Sequence, residues 1–310
     1  ALRRWAADAG RFPKRLPDTP GQLAVALRRA PHADRLTLDV VRDLLEEEAL
    51  GASGRSFPDV LAVGFSAADY IGHVYGPDGL EYEDQLLRLD DLVGELIALV
   101  DERVGLERAL VVFTADHGVD SATVYREAVG REAGRLIAGP LLPHLNDELR
   151  ETLGVDVDLV QDFRTPAFFL DPSTVAAADL DRSEVARRLA AIVSRLPGVS
   201  GAFAWSEDGP VRVGSSPDWY DERVALSFHP ERSGDVIVVP GRHVHLHRGD
   251  GNAAMHGTPY DYDAHVPLAI MGRGIEPGVV REAVAPRQVA PTIARHAGVD
   301  PDPRWMGPLP

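Results

Sequence analysis

The chain contains no cysteine. Disulfides, thiolate metal sites and a cysteine nucleophile are thereby excluded, so any metal must be held by histidine and carboxylate. Also missing is any run of about 18 uninterrupted apolar residues, which argues against a membrane-spanning helix. Ala1 to Trp5 and the polar residues after them carry no apolar signal-peptide core. Basic residues are outnumbered, with 32 Lys and Arg against 48 Asp and Glu, for a net charge of −16. Nucleic-acid duplexes and anionic membranes select for clustered Lys and Arg, so neither is an expected partner. A small phosphate-bearing substrate stays open, because one or two bound divalent cations invert the local field. There is no internal repeat and no low-complexity stretch.

What is present is a globular composition, 45% hydrophobic and 26% charged over 310 residues, enough for one large domain or two ordinary ones. Residues 1–34 are rich in Arg and Pro, show no period and read as irregular. Leu36 to Leu50 reads as a helix capped by Thr37, and Val60 to Phe65 as a strand. Tyr82, Leu86, Leu89, Val93, Leu96 and Val100 recur at helical steps, and Leu110 to Phe113 is a second apolar strand. A helix joining two strands implies a parallel pair whose carboxyl ends share an edge, and Asp69 and Asp116 would meet there.

Between Val119 and Val160 the period blurs, and Pro140 and Pro143 are expected to break helices. Ala167 to Leu170, Gly201 to Trp205, Val224 to Phe228 and Val236 to Val239 read as strands, and Ser183 to Leu196 as a capped helix. Val266 to Met271 reads as a buried strand and Val289 to His296 as a helix, with Pro-rich residues 301–310 closing the chain. The expected class is α/β: a mostly parallel sheet flanked by helices, with a smaller inserted α+β unit. The expected divisions are a core portion at 1–160, the inserted unit at 161–245 and a return to the core at 246–310.

Three clusters carry chemistry. Asp69 and His73 are four residues apart, which puts a carboxylate and an imidazole on one side of a helical turn, as a divalent metal requires. Such a spacing alone is more often a solvated pair. Asp116 and His117 follow the second strand directly, with Gly118 behind them. Singly, that Asp would cap a helix and that His would lie exposed. Two Asp/His pairs at strand ends shift the balance to a metal site. His256, flanked by small residues, is the third candidate. It competes with His243, His245 and His247, whose alternation would place them on one strand face, and with His265 beside the last strand.

The runs Asp69-Tyr70-Ile71-Gly72-His73 with Gly76-Pro77, Thr114-Ala115-Asp116-His117-Gly118, and His256-Gly257-Thr258-Pro259-Tyr260-Asp261-Tyr262-Asp263-Ala264-His265-Val266-Pro267 resemble, in order and spacing, the alkaline phosphatase superfamily. The likeness is to its PafA-like alkaline phosphatase and type I phosphodiesterase/nucleotide pyrophosphatase branch. It extends over most of residues 31–310, including Ser227-Phe228-His229-Pro230 and Ala290-Pro291-Thr292.

The resemblance implies two divalent metals, usually zinc, with manganese or magnesium as alternatives. Asp69, His73 and His256 would hold one; Asp116 and His117 would hold the other with a further Asp. It implies hydrolysis of phosphate esters or nucleotides, and a periplasmic or secreted site. The nucleophilic Ser or Thr and the remaining Asp are expected upstream of Ala1, so the chain is expected to be a carboxyl-terminal portion of a longer enzyme, with a shortened protein that has lost phosphoryl transfer as the alternative. Thr19, Thr37, Ser53 and Ser56 do not occur in the nucleophile's context. A non-catalytic metal-binding module and a phosphomutase of the same superfamily stand as alternatives. Monoester or diester preference and oligomeric state are not legible.

Overall fold

A buried carboxylate, Asp34, ties together the elements that carry the first motif. The computed structural model describes residues 15–310 apart from Ser53, Asp250, Trp305 and Pro310. Its contacts divide the described residues into two units. One holds His73–Asp78 and Val119–Ala264; the other holds the described residues of Arg11–Gly72, Gly79–Gly118 and His265–Pro310. The first unit is wider than the inserted unit expected at 161–245.

In the second unit, α1 (Pro20–Leu27) and α2 (His32–Glu47) precede α3 (Ala67–Tyr75), which begins here, and α4 (Leu80–Arg103). Leu38, Val41 and Leu45 of α2 pack with Leu92 and Leu99 of α4, joined by Val63 and Phe65. Asp34 is 1% exposed. It accepts hydrogen bonds from the Ala67 N–H at 3.1 Å and from Gln85 Nε2 at 2.7 Å. Three chain segments are thus fastened at the start of α3, where a backbone N–H would otherwise have no intrahelical partner. Burial pushes the Asp34 carboxyl above its ordinary value, against the pull of those hydrogen bonds.

Several expectations are corrected here. The irregular reading of residues 1–34 lies in part outside the described residues; within them, Pro20–Leu27 is helical. Ser53 also lies outside them. Thr37 does not cap α2, which starts at His32; its hydroxyl donates to the Ala33 carbonyl inside the helix. Pro31 accounts for the earlier start, since a proline is tolerated where helix N–H groups have no partner anyway.

Val60 to Phe65 forms no strand. Strand β1 (Leu110–Thr114) pairs instead with β9 (Leu268–Gly272), antiparallel, with Leu110 opposite Gly272 and Thr114 opposite Leu268. Among the described residues this sheet has two strands, so the 60–65 segment finds no ladder to join. Its apolar residues divide: Val63 and Phe65 pack on the α2–α4 cluster, whereas Val60 is 69% exposed. Helix α11 (Val289–His296), which follows the single-turn α10 (Asp261–Ala264) in the chain, has the expected bounds.

The first unit is built on an antiparallel sheet of order β3-β4-β7-β5-β6, from β3 (Val160–Arg164), β4 (Ala167–Leu170), β5 (Val199–Ala204), β6 (Val211–Val213) and β7 (Val236–Pro240). A separate parallel pair joins β2 (Gly134–Ile137) to β8 (Val244–His247). After the short α5 (Thr123–Ala128), helices α6 (Leu142–Leu153) and α8 (Arg182–Val193) contribute Leu145, Leu149, Val185, Leu189 and Val193 to the core around Phe163 and Phe168.

Pro143 does not break α6, because it occupies the first turn. Asn146 of α6, 4% exposed, accepts from the Leu159 and Val160 N–H groups and donates to the Val160 carbonyl, pinning the start of β3. Asp171 and Asp181 cap α7 (Pro172–Ala177) and α8. The strand expected at Val224 to Phe228 is α9 (Trp219–Ser227). Tyr220 and Val224, four apart, share the face buried against Phe203 and Tyr260, so the operative period there is helical.

Candidate metal centre

Helix α3 presents Asp69 in its first turn and His73 in its last. The first placement suits the helix dipole, which favours an anion at the amino end. Gly72 lies between them, and a Cβ there would meet the Tyr82 ring at 3.2 Å. Burial, and secondarily the Asp69 charge, push the Tyr82 phenol up. Gly76, at φ +82°, ends the helix; a side chain there would run into Ala122.

The 252–256 loop attaches to the end of α3. The Ala253 N–H donates to the His73 carbonyl at 2.6 Å, and His73 Nδ1 lies 2.9 Å from the Ala254 carbonyl oxygen. That acceptor assigns the ring proton to Nδ1 and leaves the Nε2 lone pair outward. His256 then brings its own Nε2 to 3.1 Å from His73 Nε2, with ring centroids 4.9 Å apart.

Asp69 is fixed relative to His73 by the helix they share. Ligand atoms of Asp69, His73 and His256 all lie within 4.8 Å of one another, and among the described residues this is the group able to share one ion. Two histidine nitrogens bound tetrahedrally to zinc at about 2.0–2.1 Å would be about 3.3 Å apart. The observed 3.1 Å separation and the donor set of two imidazoles and a carboxylate fit a divalent cation.

Asp116 and His117, in the same unit as Asp69, leave β1 as a local pair. Asp116 Oδ1 accepts from the His117 N–H at 3.1 Å, and His117 Nδ1 lies 2.9 Å from the Gly118 carbonyl oxygen. The Asp116 side chain is 88% exposed, with Oδ2 3.6 Å from His117 Nε2. His117 therefore shows the same arrangement as His73, a carbonyl holding Nδ1 and Nε2 turned away from it.

Of the three alternating histidines, His245 and His247 lie in β8 and His243 just before it. His245 and His247 are each 3% exposed, and His243 precedes the strand with a left-handed φ of +62°. His243 Nδ1 and His245 Nε2 converge on Asp120, at 2.9 and 3.2 Å. Asp120 escaped the sequence reading, although it stands four residues after Asp116 in a stretch with no clear period. Its backbone N–H also reaches the Met255 carbonyl, beside His256. His265 is exposed.

Burial raises the Asp120 carboxyl, but hydrogen bonds from His245 and His243 hold it below the ordinary value of 3.8. A carboxyl with a lower pKa folded than unfolded contributes stability that is complete above the unfolded value and is lost as pH falls through the folded one. Wild-type protein is therefore expected to lose this contribution below pH 3.8. The stability gap between wild type and Asp120→Asn should narrow over that window in acid titrations of urea unfolding. Parallel acid profiles for the two proteins would contradict it.

Residues 4–263 match the family described as type I phosphodiesterase/nucleotide pyrophosphatase. The chain is 29% identical over 269 residues to a Myroides odoratus protein named calcium-transporting ATPase, covering 87% of this chain and 48% of that one. It is 25% identical over 268 residues to alkaline phosphatase PafA of Elizabethkingia meningoseptica, covering 86% and 48%. The crystal structure of wild-type PafA superposes with a TM-score of 0.80 at 24% identity, over 91% of this chain and 53% of that one. The chain thus spans about half the length of these curated relatives. Among the described residues no helix is long and apolar enough to cross a membrane. With an α/β architecture of the alkaline phosphatase fold and a match over most of its length, the chain belongs to the type I phosphodiesterase/nucleotide pyrophosphatase family, in the PafA-like branch of the alkaline phosphatase superfamily.

Proposed function

We propose that the chain supplies the metal ligands for hydrolysis of phosphate monoesters or diesters, nucleotides among them. The observation that carries this reading is the convergence of His73 and His256, Nε2 toward Nε2 at 3.1 Å, at the end of a helix that also presents Asp69. When bound, a divalent cation, zinc in the first place with manganese or magnesium as alternatives, supplies Lewis-acid stabilisation of phosphoryl and leaving oxygens. The chain's part is orientation. The Ala254 carbonyl keeps the His73 proton on Nδ1, and Asp69 adds the anionic ligand that offsets part of the cation's charge. Asp116 and His117 would hold a second ion together with a further carboxylate, an arrangement suited to in-line displacement at phosphorus.

Because the resemblance places the nucleophile before Ala1, the test is run on protein that includes that region: stripped by a chelator and reloaded with zinc, it is expected to hydrolyse nitrophenyl phosphate or bis-nitrophenyl phosphate, with the faster ester reporting the preference. Absence of zinc-dependent turnover of both esters sinks the reading.

A further inference from the structure

Asp34 stands where the buried stripe of α2 would ordinarily continue in apolar side chains. The buried residues of that helix are Asp34, Leu38, Val41 and Leu45, which follow the helical period along one face. Gln85 holds the matching place on α4, whose buried residues are Gln85, Leu92 and Leu99. Both seams therefore end in a polar side chain, and both of those side chains are buried. Burying a carboxylate costs more than burying an apolar group of its size, so the packing of α2 on α4 does not by itself call for Asp34.

The use of the carboxylate lies in its third partner. Oδ1 accepts from the N–H of Ala67, the first residue of α3, while Gln85 Nε2 holds Oδ2. Asp34 thus does for α3 what an N-cap side chain does, from 33 positions away instead of from the residue before the helix. Asp69 lies in the turn that this contact begins. A helix of nine residues is marginal without such support. At the opposite end of α3, His73 has a different fastening, through the Ala253 N–H and the Ala254 carbonyl.

We propose that Asp34 is a positioning residue for Asp69: it caps the first turn of α3, so that the Asp69 carboxylate is in place before a cation arrives. This rests on the metal reading given above. It goes beyond that reading in assigning a role to a carboxylate that is not itself a ligand. If the first turn frays, fewer molecules hold Asp69 in place, and the apparent affinity falls with that fraction.

Loss of a cap corresponds to a factor of about 2 to 30 in an equilibrium, so Asp34→Ala is expected to weaken zinc binding about tenfold in competition with a chromophoric chelator. Asp34→Ser, too short to reach Ala67 and Gln85 together, carries the same expectation and serves if Asp34→Ala fails to fold. Asp34→Asn should bring the affinity back to within about threefold of wild type, because its amide oxygen still accepts from Ala67. Its N–H group finds an acceptor in Gln85 Oε1, a buried atom without a hydrogen-bond partner among the described residues, once the Gln85 amide turns over. Leu38→Ala, on the same face of α2, removes packing but leaves the cap, and is expected to stay within about threefold of wild type. In an Asp69→Ala background, Asp34→Ala should have no further effect on zinc affinity, since the two residues act as one.

Zinc affinity near wild type in both Asp34→Ala and Asp34→Ser, with Asp69→Ala impaired, would remove the inference and leave the metal reading standing. Equal losses in Asp34→Ala and Asp34→Asn, or in Asp34→Ala and Leu38→Ala, would also remove it, as would an Asp34→Ala effect that persists in full without Asp69. Failure of wild type to bind zinc, or wild-type affinity in Asp69→Ala, would overturn the metal reading and the inference with it.

Discussion

Replacing His256 with alanine is expected to weaken zinc binding by about 100-fold or more. Structural zinc sites with four protein ligands release about 10–16 kcal/mol, or roughly 3 kcal/mol per ligand, and each 1.4 kcal/mol is a factor of ten. His256 contributes one of the three ligand atoms grouped within 4.8 Å. The other two share one helix, so its loss takes away the ligand that comes from a different part of the chain. The substitution should leave the fold intact, because His256 is only half-buried and its loop is attached through the Ala253 and Ala254 backbone. Chelator competition monitors the affinity, and far-ultraviolet circular dichroism monitors the fold. Wild-type zinc affinity in His256→Ala would rule this imidazole out as a ligand.

Phe163→Ala is the largest stability effect expected. Phe163 is fully buried, packs on Phe168 with ring centroids 4.8 Å apart and planes at 60°, and lies in the cluster with Leu149, Leu189 and Val193. Truncating a buried phenylalanine costs about 3–5 kcal/mol, through lost transfer energy and the cavity left behind. Against a total stability of about 5–15 kcal/mol, that is a large share. In urea unfolding the midpoint should drop with little change in slope, because the surface exposed on unfolding is nearly the same. A loss below about 1 kcal/mol would mean that the surrounding side chains collapse into the space.

The sequence made much of the candidate centre legible. Asp69, His73 and His256 stood out as candidates because metal ligands come from a short menu of side chains at strand and helix ends; His73 and His256 face each other at 3.1 Å, Nε2 to Nε2, and Asp69 lies one helical turn before His73. Strand Ala167–Leu170 and helix Val289–His296 were readable to the residue, since the first is an uninterrupted apolar run and the second has a clear helical stripe.

What escaped depends on partners distant in sequence. Val60 to Phe65 has strand composition, yet a strand requires a ladder neighbour, which composition does not disclose. Trp219–Ser227 was misread because Val224 to Phe228, taken alone, is a short apolar run, whereas Tyr220 upstream completes a helical face. Asp34 and Asp120 were invisible for one reason: each is a buried carboxylate whose meaning lies in groups brought to it by folding. Asp34 meets the Ala67 N–H across 33 positions, and Asp120 meets His245 across 125.

The loop before His256 is fastened to helix α3 by the Ala253 N–H and the Ala254 carbonyl, both main-chain atoms. Every residue type except proline offers the same two groups, so this fastening stores its information in the number of residues between anchor and ligand, not in their names. Evolution can edit letters there more freely than it can edit spacing. A register of that kind ties Ala254 to His256 as firmly as a helical turn ties Asp69 to His73.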